Sequence, residues 1–445
     1  MTVQYEDLQP LAERVMKRAL ELGATEASVA TSRGSHVTIQ RRERQTEQAT
    51  EATTQGLVLA ITKGDRYTSN STSDLRPKAL DSFIQRCVQT ADYIEPDEYR
   101  RLPDLDQCGR GISEAALDQD DPAWGRRTAT ERTDHCAQVE EAILALDLPE
   151  RISTTAYVAD GRSEAVQVLS NGFSDRTAGA FFTVGGQTTV AESDKRPEAG
   201  AYYAARHLGD LPDPDLIAAD VAERVRRRLG SSPTASGQYS MLVENRMAGR
   251  ILSILSGPMA GSALHHGRSC LNGRLDTKIA SDVLTITDDP TIPRGLGSRP
   301  WDGSCLVAKP RTMIENGVLK NYHIGLYYSR KLGVQPTGGG RSNWVVKPGD
   351  RSFEDIAKEL PKAILVTGFL GGNSNSTTGD FSFGIQGLLL ENGEVVQSLS
   401  EMNVAGNLLT ILDNLVEVAN DPWTWSTVRS PAMHFANVQF SGRES

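Results

Sequence analysis

Apolar and polar positions alternate along this chain in two distinct rhythms. Over residues 6–22, Leu8, Leu11, Val15, Ala19 and Leu22 recur every three or four positions, which predicts an amphipathic helix stopped by Gly23. The rhythm then shortens to two. His36, Thr38 and Gln40 alternate with Val37 and Ile39, so strands are predicted at 26–31 and 36–40, joined at Arg33-Gly34. A charged stretch, residues 41–44, leads to further strands at 56–62 and 66–71 around the turn Lys63-Gly64-Asp65. Helices follow at 77–91, where Cys87 reads as core, and at 128–146, with a Pro-, Asp- and Gly-rich surface crossing at 95–124 between them. Strands at 152–159, 164–170 and 173–191 are punctuated by Asp160-Gly161 and Asn171-Gly172, pairs that tolerate positive φ. A helix at 214–229 closes the first half.

Residues 230–237 are small and carry no apolar anchor, the composition of a linker. The pattern beyond them differs. A strand at 239–243 and a helix at 246–255 precede many short β segments with turn signals at 288–290, 316–317, 338–340, 371–372, 378–380 and 391–393. Helices are predicted at 353–360 and 408–418. The expected fold is α+β: an N-terminal α/β domain (1–229) with a curved mixed sheet and helices, and a C-terminal β-rich, barrel-like domain (238–445).

Composition narrows the function classes. The chain has 445 residues and a net charge of −10, which disfavours binding to nucleic acid or an anionic membrane. It shows no signal peptide and no apolar run long enough to span a bilayer, so a cytoplasmic protein is expected. Five scattered cysteines without a CxxC pair read as reduced thiols. The basic run 224–228 sits at a predicted helix end, where cations complement the helix dipole.

The search for catalytic chemistry returns little. HExxH, HExxxH, GxSxG, Walker A and GxGxxG patterns are all absent from the sequence. The glycine-rich residues 337–340 lack the following Lys-Ser/Thr and read as a mobile turn, and His135 reads as a polar face residue of its helix. His265, His266 and Cys270 form the one alternative metal set; the plainer reading is a solvated loop. The polar segment 371–384 lies between apolar strands at 364–370 and 385–390. Either it is a plain hairpin connection, or its backbone contacts an extended peptide through Gly371, Gly372, Asn373, Thr378, Gly379, Asp380 and Phe381.

Several short runs, in order, carry a resemblance. They are Leu284 to Pro290 with its Asp288-Asp289 pair, Gly295 to Asp302, Ile314 to Tyr322, Tyr327 to Gly333, Ser342-Asn343-Trp344, Thr378 to Ser382, Glu391 to Glu394 and Ala405 to Leu408. Together they resemble the TldD/PmbA family of peptidase-related proteins over nearly the whole chain. In its TldD branch an HExxxH helix and a distant cysteine hold a metal; the PmbA (TldE) branch lacks those ligands. Here the corresponding slots read Arg250-Ile251-Leu252-Ser253-Ile254-Leu255-Ser256 and Ser430-Pro431-Ala432-Met433-His434, with no ligand set. The resemblance therefore implies a PmbA/TldE-type subunit with no catalytic residue and no cofactor of its own. It implies a TldD-like HExxxH partner that supplies zinc, and an extended, unfolded peptide cut in a cavity between the two. A self-contained homodimeric metallopeptidase with an atypical metal site, and a non-enzymatic peptide-binding scaffold, are the alternatives.

Overall fold

The architecture follows from a computed structural model, which describes residues 7–442. The predicted helix start at residue 6 and the chain ends fall outside them. Helix α1 (Leu8–Glu21) is capped by Asp7 and buries Leu8, Leu11, Ala12, Val15 and Ala19, the predicted face. Strands β1 (Glu26–Arg42), β2 (Gln45–Lys63) and β3 (Arg66–Thr72) precede helices α2 (Pro77–Thr90) and α3 (Ala129–Leu144). Strands β4 (Arg151–Leu169), β5 (Ser174–Val190) and β6 (Glu198–Ala205) and helix α4 (Pro214–Arg226) complete the first half. The six strands form one sheet in the order β3-β2-β1-β4-β5-β6, and the expected mixed sheet is antiparallel at every pairing.

Two predicted turns are strand interior. β1 runs unbroken through Arg33-Gly34, which pairs with Gln55 and Thr54 on one side and with Glu164 and Ser163 on the other. The chain reverses instead at Glu43-Arg44, both at positive φ. That left-handed pair is held from α3: Glu140 accepts from the Arg44 backbone N–H at 2.7 Å and from Arg41 Nε at 2.9 Å. β4 likewise runs through Asp160-Gly161. Asp160 is fully buried and accepts from Arg127 Nη1 (2.8 Å) and Arg132 Nη2 (2.8 Å), so the carboxylate serves an internal ion pair. Gly161 leaves room for the Phe181 ring, which a Cβ would approach to 2.5 Å. Asn171-Gly172 does turn, with Gly172 at φ 105°. β6 was not foreseen.

Helices cover one face of this sheet in two cores. α1 and α2 pack on Val29, Leu57, Leu59, Ile61, Val166 and Val168, with Cys87 buried among them. α3 and α4 pack on Val158, Val184 and Tyr203.

The second half is built around a closed five-stranded barrel. Its strands are β7 (Gly237–Val243), β8 (Lys362–Ser374), β9 (Asp380–Glu391), β10 (Glu394–Asn407) and β11 (Met433–Ser441). They run β10-β9-β8-β7-β11, and β11 closes on β10 through Asn403–Ser441 and Val404–Phe440. Helix α5 (Asn245–Leu252) follows β7, and a smaller five-stranded sheet carries Ile286–Asp288, Arg311–Glu315 and Trp344–Val346. The predicted helix at 408–418 splits into a helix, Leu408–Asp413, and a strand, Leu415–Val418. Residues 371–384 are no loop. β8 continues to Ser374 and β9 restarts at Asp380, so the segment is the end of a long β-hairpin with a bulge at Gly371-Gly372.

The two halves are clamped together. Glu244, just after β7, accepts from Arg224 Nη2 (3.1 Å) and Arg227 Nη1 (2.6 Å), so the basic run at the end of α4 is an ion-pair lock. Arg246 pairs with Asp220 and lies over the Trp423 ring at 4.1 Å, while Trp425 meets Tyr203 at 5.2 Å. Both tryptophans thus sit at the seam. The predicted surface crossing at 95–124 is pinned as well: Gly111 donates to the Pro300 carbonyl, Val307 to the Gln107 carbonyl, and Arg330 to the carbonyls of Arg101 and Leu102.

Candidate functional site

The slot helix and the C-terminal segment, distant in sequence, meet in space. α5 packs so closely on the C-terminal strand Val428–Arg429 that a Cβ at Gly249 would lie 3.2 Å from Val428 Cβ. The chain leaves α5 through a 3₁₀ turn, Ser253–Ser256, and buries Ile251, Leu252, Ile254 and Leu255. Ser253 Oγ donates to the Gly249 carbonyl at 2.6 Å and accepts from Arg341 Nη1 at 3.1 Å. Arg250 lies over the Phe383 ring at 4.9 Å, so the helix is covered by the hairpin. His434, the one imidazole of the second slot, is buried in β11 opposite Leu242, and burial pushes its pKa down.

A zinc ion would need about four N, S or O ligands in tetrahedral array. Aliphatic and hydroxyl side chains and one isolated imidazole do not make that set. Among the described residues no group of three or more His, Cys, Asp and Glu side chains is placed to hold a metal. The alternative set is separated too. His265 and His266 are exposed at the end of a short helix, their rings 4.9 Å apart. Cys270 faces the hairpin end, where a Cβ on Gly379 would sit 3.4 Å from its sulfur, and burial raises its pKa.

The seven proposed peptide-contacting residues divide into two groups. Thr378, Gly379, Asp380 and Phe381 are committed to shaping the hairpin end. The Asp380 backbone N–H donates to Thr378 Oγ1 (3.2 Å), and Asn407 Nδ2 donates to the Thr378 carbonyl (2.8 Å) and to Asp380 Oδ1 (3.0 Å). These contacts hold the Asp380 carboxyl below its ordinary pKa. Phe381 is buried and stacks on Phe383 with centroids 5.6 Å apart. Gly371, Gly372 and Asn373 are exposed on β8. β8 pairs with β7 only over residues 363–366, and with β9 on its other side. Beyond Val366, among the described residues, one edge of β8 has no strand partner. Unpaired N–H and C=O groups on an extended edge accept an added strand.

The Asp288 motif proves architectural. Asp288 is buried and accepts from Arg311 Nη2 (2.7 Å) and from the Ser342 N–H (2.7 Å) and Oγ (2.5 Å). Arg311 also reaches His323 Nδ1 at 2.9 Å, and the His323 ring stacks on Trp344 at 5.7 Å. Burial, helped by the Arg311 charge, pushes the His323 pKa down to about 4. Residues 337–340, expected to be mobile, are tied into this network. Gly339 N–H donates to Asp302, and the Gly340 carbonyl accepts from Arg299 and Arg311. His135 is likewise engaged, 2.6 Å from Arg127 Nη2. The sequence pattern contained Asp288, Arg299, Asp302, Ser342 and Trp344 but not Arg311 or His323, and carried no signal for their joint burial.

Residues 236–442 match the family model of the PmbA/TldA metallopeptidase C-terminal domain. The Escherichia coli O157:H7 protein named metalloprotease PmbA is 28% identical over 99% of this chain and 98% of its own length. A Bacteroides thetaiotaomicron structure, described as a proposed modulator of DNA gyrase, superposes with a TM-score of 0.93 at 35% identity, covering 98% of both chains. The structure of TldE from Thermococcus kodakarensis superposes with a TM-score of 0.85 at 21% identity, over 97% of this chain and all of that one.

Proposed function

Since this chain belongs to the PmbA/TldD metallopeptidase family, we propose that it is the PmbA/TldE-type subunit of a two-chain peptidase. In this reading a TldD-like partner carrying HExxxH supplies the zinc. This chain completes the substrate cavity and holds an extended peptide. Its two units, 1–229 and 238–445 with 230–237 as linker, work in the cytoplasm. The observation that carries the reading is the burial of Ile251, Leu252, Ile254 and Leu255, in one core with Val428, where metal ligands would be needed. Such a chain offers surfaces, not a water-activating centre.

The open edge of β8 beside that packed slot supports the peptide-holding role. Backbone groups of Gly371, Gly372 and Asn373 would pair with substrate, while Thr378, Gly379, Asp380 and Phe381 keep the hairpin end in shape. Co-expression with a TldD-like protein tests the assignment. A stable complex that cleaves unstructured peptides, when this chain alone does not, is the expected result. Cleavage by the lone chain with bound zinc would overturn it.

A further inference from the structure

A pocket of about 200 Å³ opens at the seam between the two halves, away from the slot helix. At about 30 Å³ per water it is room for a handful of waters, hence for a small acid group and not for a folded segment. Arg110, Arg206 and Arg299 line it, with Glu114 the one acidic residue in the lining. Arg110 is neutralised by Asp175, its Nε 2.6 Å from the carboxylate. The other two differ. Arg206 donates only to backbone carbonyls, Ala180 at 3.2 Å and Leu296 at 2.8 Å, and Arg299 donates to the Gly340 carbonyl at 2.5 Å. Neither has a carboxylate within ion-pair distance among the described residues, and the Nε of each is buried without a hydrogen-bond partner. Burial pushes both guanidiniums below their ordinary pKa, and for Arg206 no other group contributes. A guanidinium stays protonated at neutral pH, so two partly buried cations without an ion-pair partner line one pocket, with Arg299 offset only by the Asp288 and Asp302 charges beyond ion-pair distance.

We propose that this pocket binds a carboxylate, held between Arg206 and Arg299. Planar guanidiniums present paired N–H donors that match a carboxylate's two oxygens, and a partly desolvated site strengthens the pairing. Arg206 comes from the end of the β6 segment and Arg299 from the loop of the Asp288 region, so a bound carboxylate would bridge the two halves. The site acts on this chain alone and does not depend on a zinc-bearing partner.

The test is calorimetric titration of the full chain, at low salt, with three probes: acetyl-dialanine with a free carboxylate, the same peptide as its C-terminal amide, and succinate. Binding of either carboxylate probe without binding of the amide is expected, and which acid binds identifies a peptide end or a free organic acid as the source. Arg206→Met is expected to weaken binding about tenfold or more, the scale of one charge-assisted contact. Glu114→Gln, an exposed change that leaves the fold intact, is expected to tighten it about two- to fivefold by removing a like charge from the rim. Equal binding of acid and amide, no binding of any probe, or unchanged affinity in Glu114→Gln and Arg206→Met would overturn the proposal.

Discussion

Asp160 lies on a strand interior between two arginines whose side chains are at most 8% exposed. Removing its charge strands both, and breaking such a buried group costs about 3–5 kcal/mol. Asp160→Asn is therefore expected to lower the unfolding free energy, read from urea titration, by that amount, whereas an unchanged value would mean the arginines find other partners. His323 gives a pH signature. It titrates near 6.5 when unfolded and at about 4 when folded. Between those values the unfolded chain binds more protons, so stability falls as pH drops from about 6.5 toward 4, then levels off. His323→Gln is expected to flatten the part of that slope due to this residue, by up to about 3 kcal/mol at roughly 1.4 kcal/mol per unit. The readout is the unfolding free energy of both proteins across that range.

Among the elements, legibility tracked locality. α1, α2 and α3 were readable because their apolar periodicity and caps lie within a few residues; Thr128 and Glu131 even form a capping box. The breaks placed at Gly34 and Gly161 failed for the opposite reason. Gly161 answers the Phe181 ring, and Gly34 is held in strand by pairing with Thr54 and Ser163, partners far away in sequence that local turn chemistry cannot report. Glu43-Arg44 carried no turn signal, because Glu140 from α3 holds it. The hairpin was legible as a polar connection between two apolar strands, but not the length of strand within it. Polar residues there complete strand ladders and the Asn407 contacts. Gly371 and Gly372 lie at φ 54° and 87°, and a Cβ at Gly372 would run into the Ser382 carbonyl. Changing both to alanine should distort the open β8 edge while leaving the barrel core intact. Peptide cleavage by the two-chain complex is expected to fall about tenfold or more, a loss of at least 1.4 kcal/mol of transition-state stabilisation. Thermal unfolding should remain a single transition.

At the scale of the whole molecule, the two halves are held by charge and aromatic contacts across the Glu244 and Trp423 seam. Trp423 packs on Tyr203 at 5.5 Å, on Trp425 at 4.8 Å and under Arg246. It is half-buried, so Trp423→Ala is expected to cost about 2 kcal/mol, less than a core truncation. Limited proteolysis within 230–237 should accelerate in parallel; an unchanged digestion rate would argue that the seam does not hold the halves together. No helix among the described residues is long and apolar enough to cross a membrane.

The packed slot bears on all three scales, because the proposed function rests on it and places the metal in another chain. Native mass spectrometry with metal analysis, on this chain alone and after mixing with a TldD-like HExxxH protein, addresses that assignment directly. The account predicts a lone chain without stoichiometric zinc and a mixed complex holding one zinc per pair of chains. A lone chain, or its homodimer, with one tightly bound zinc per subunit would contradict it.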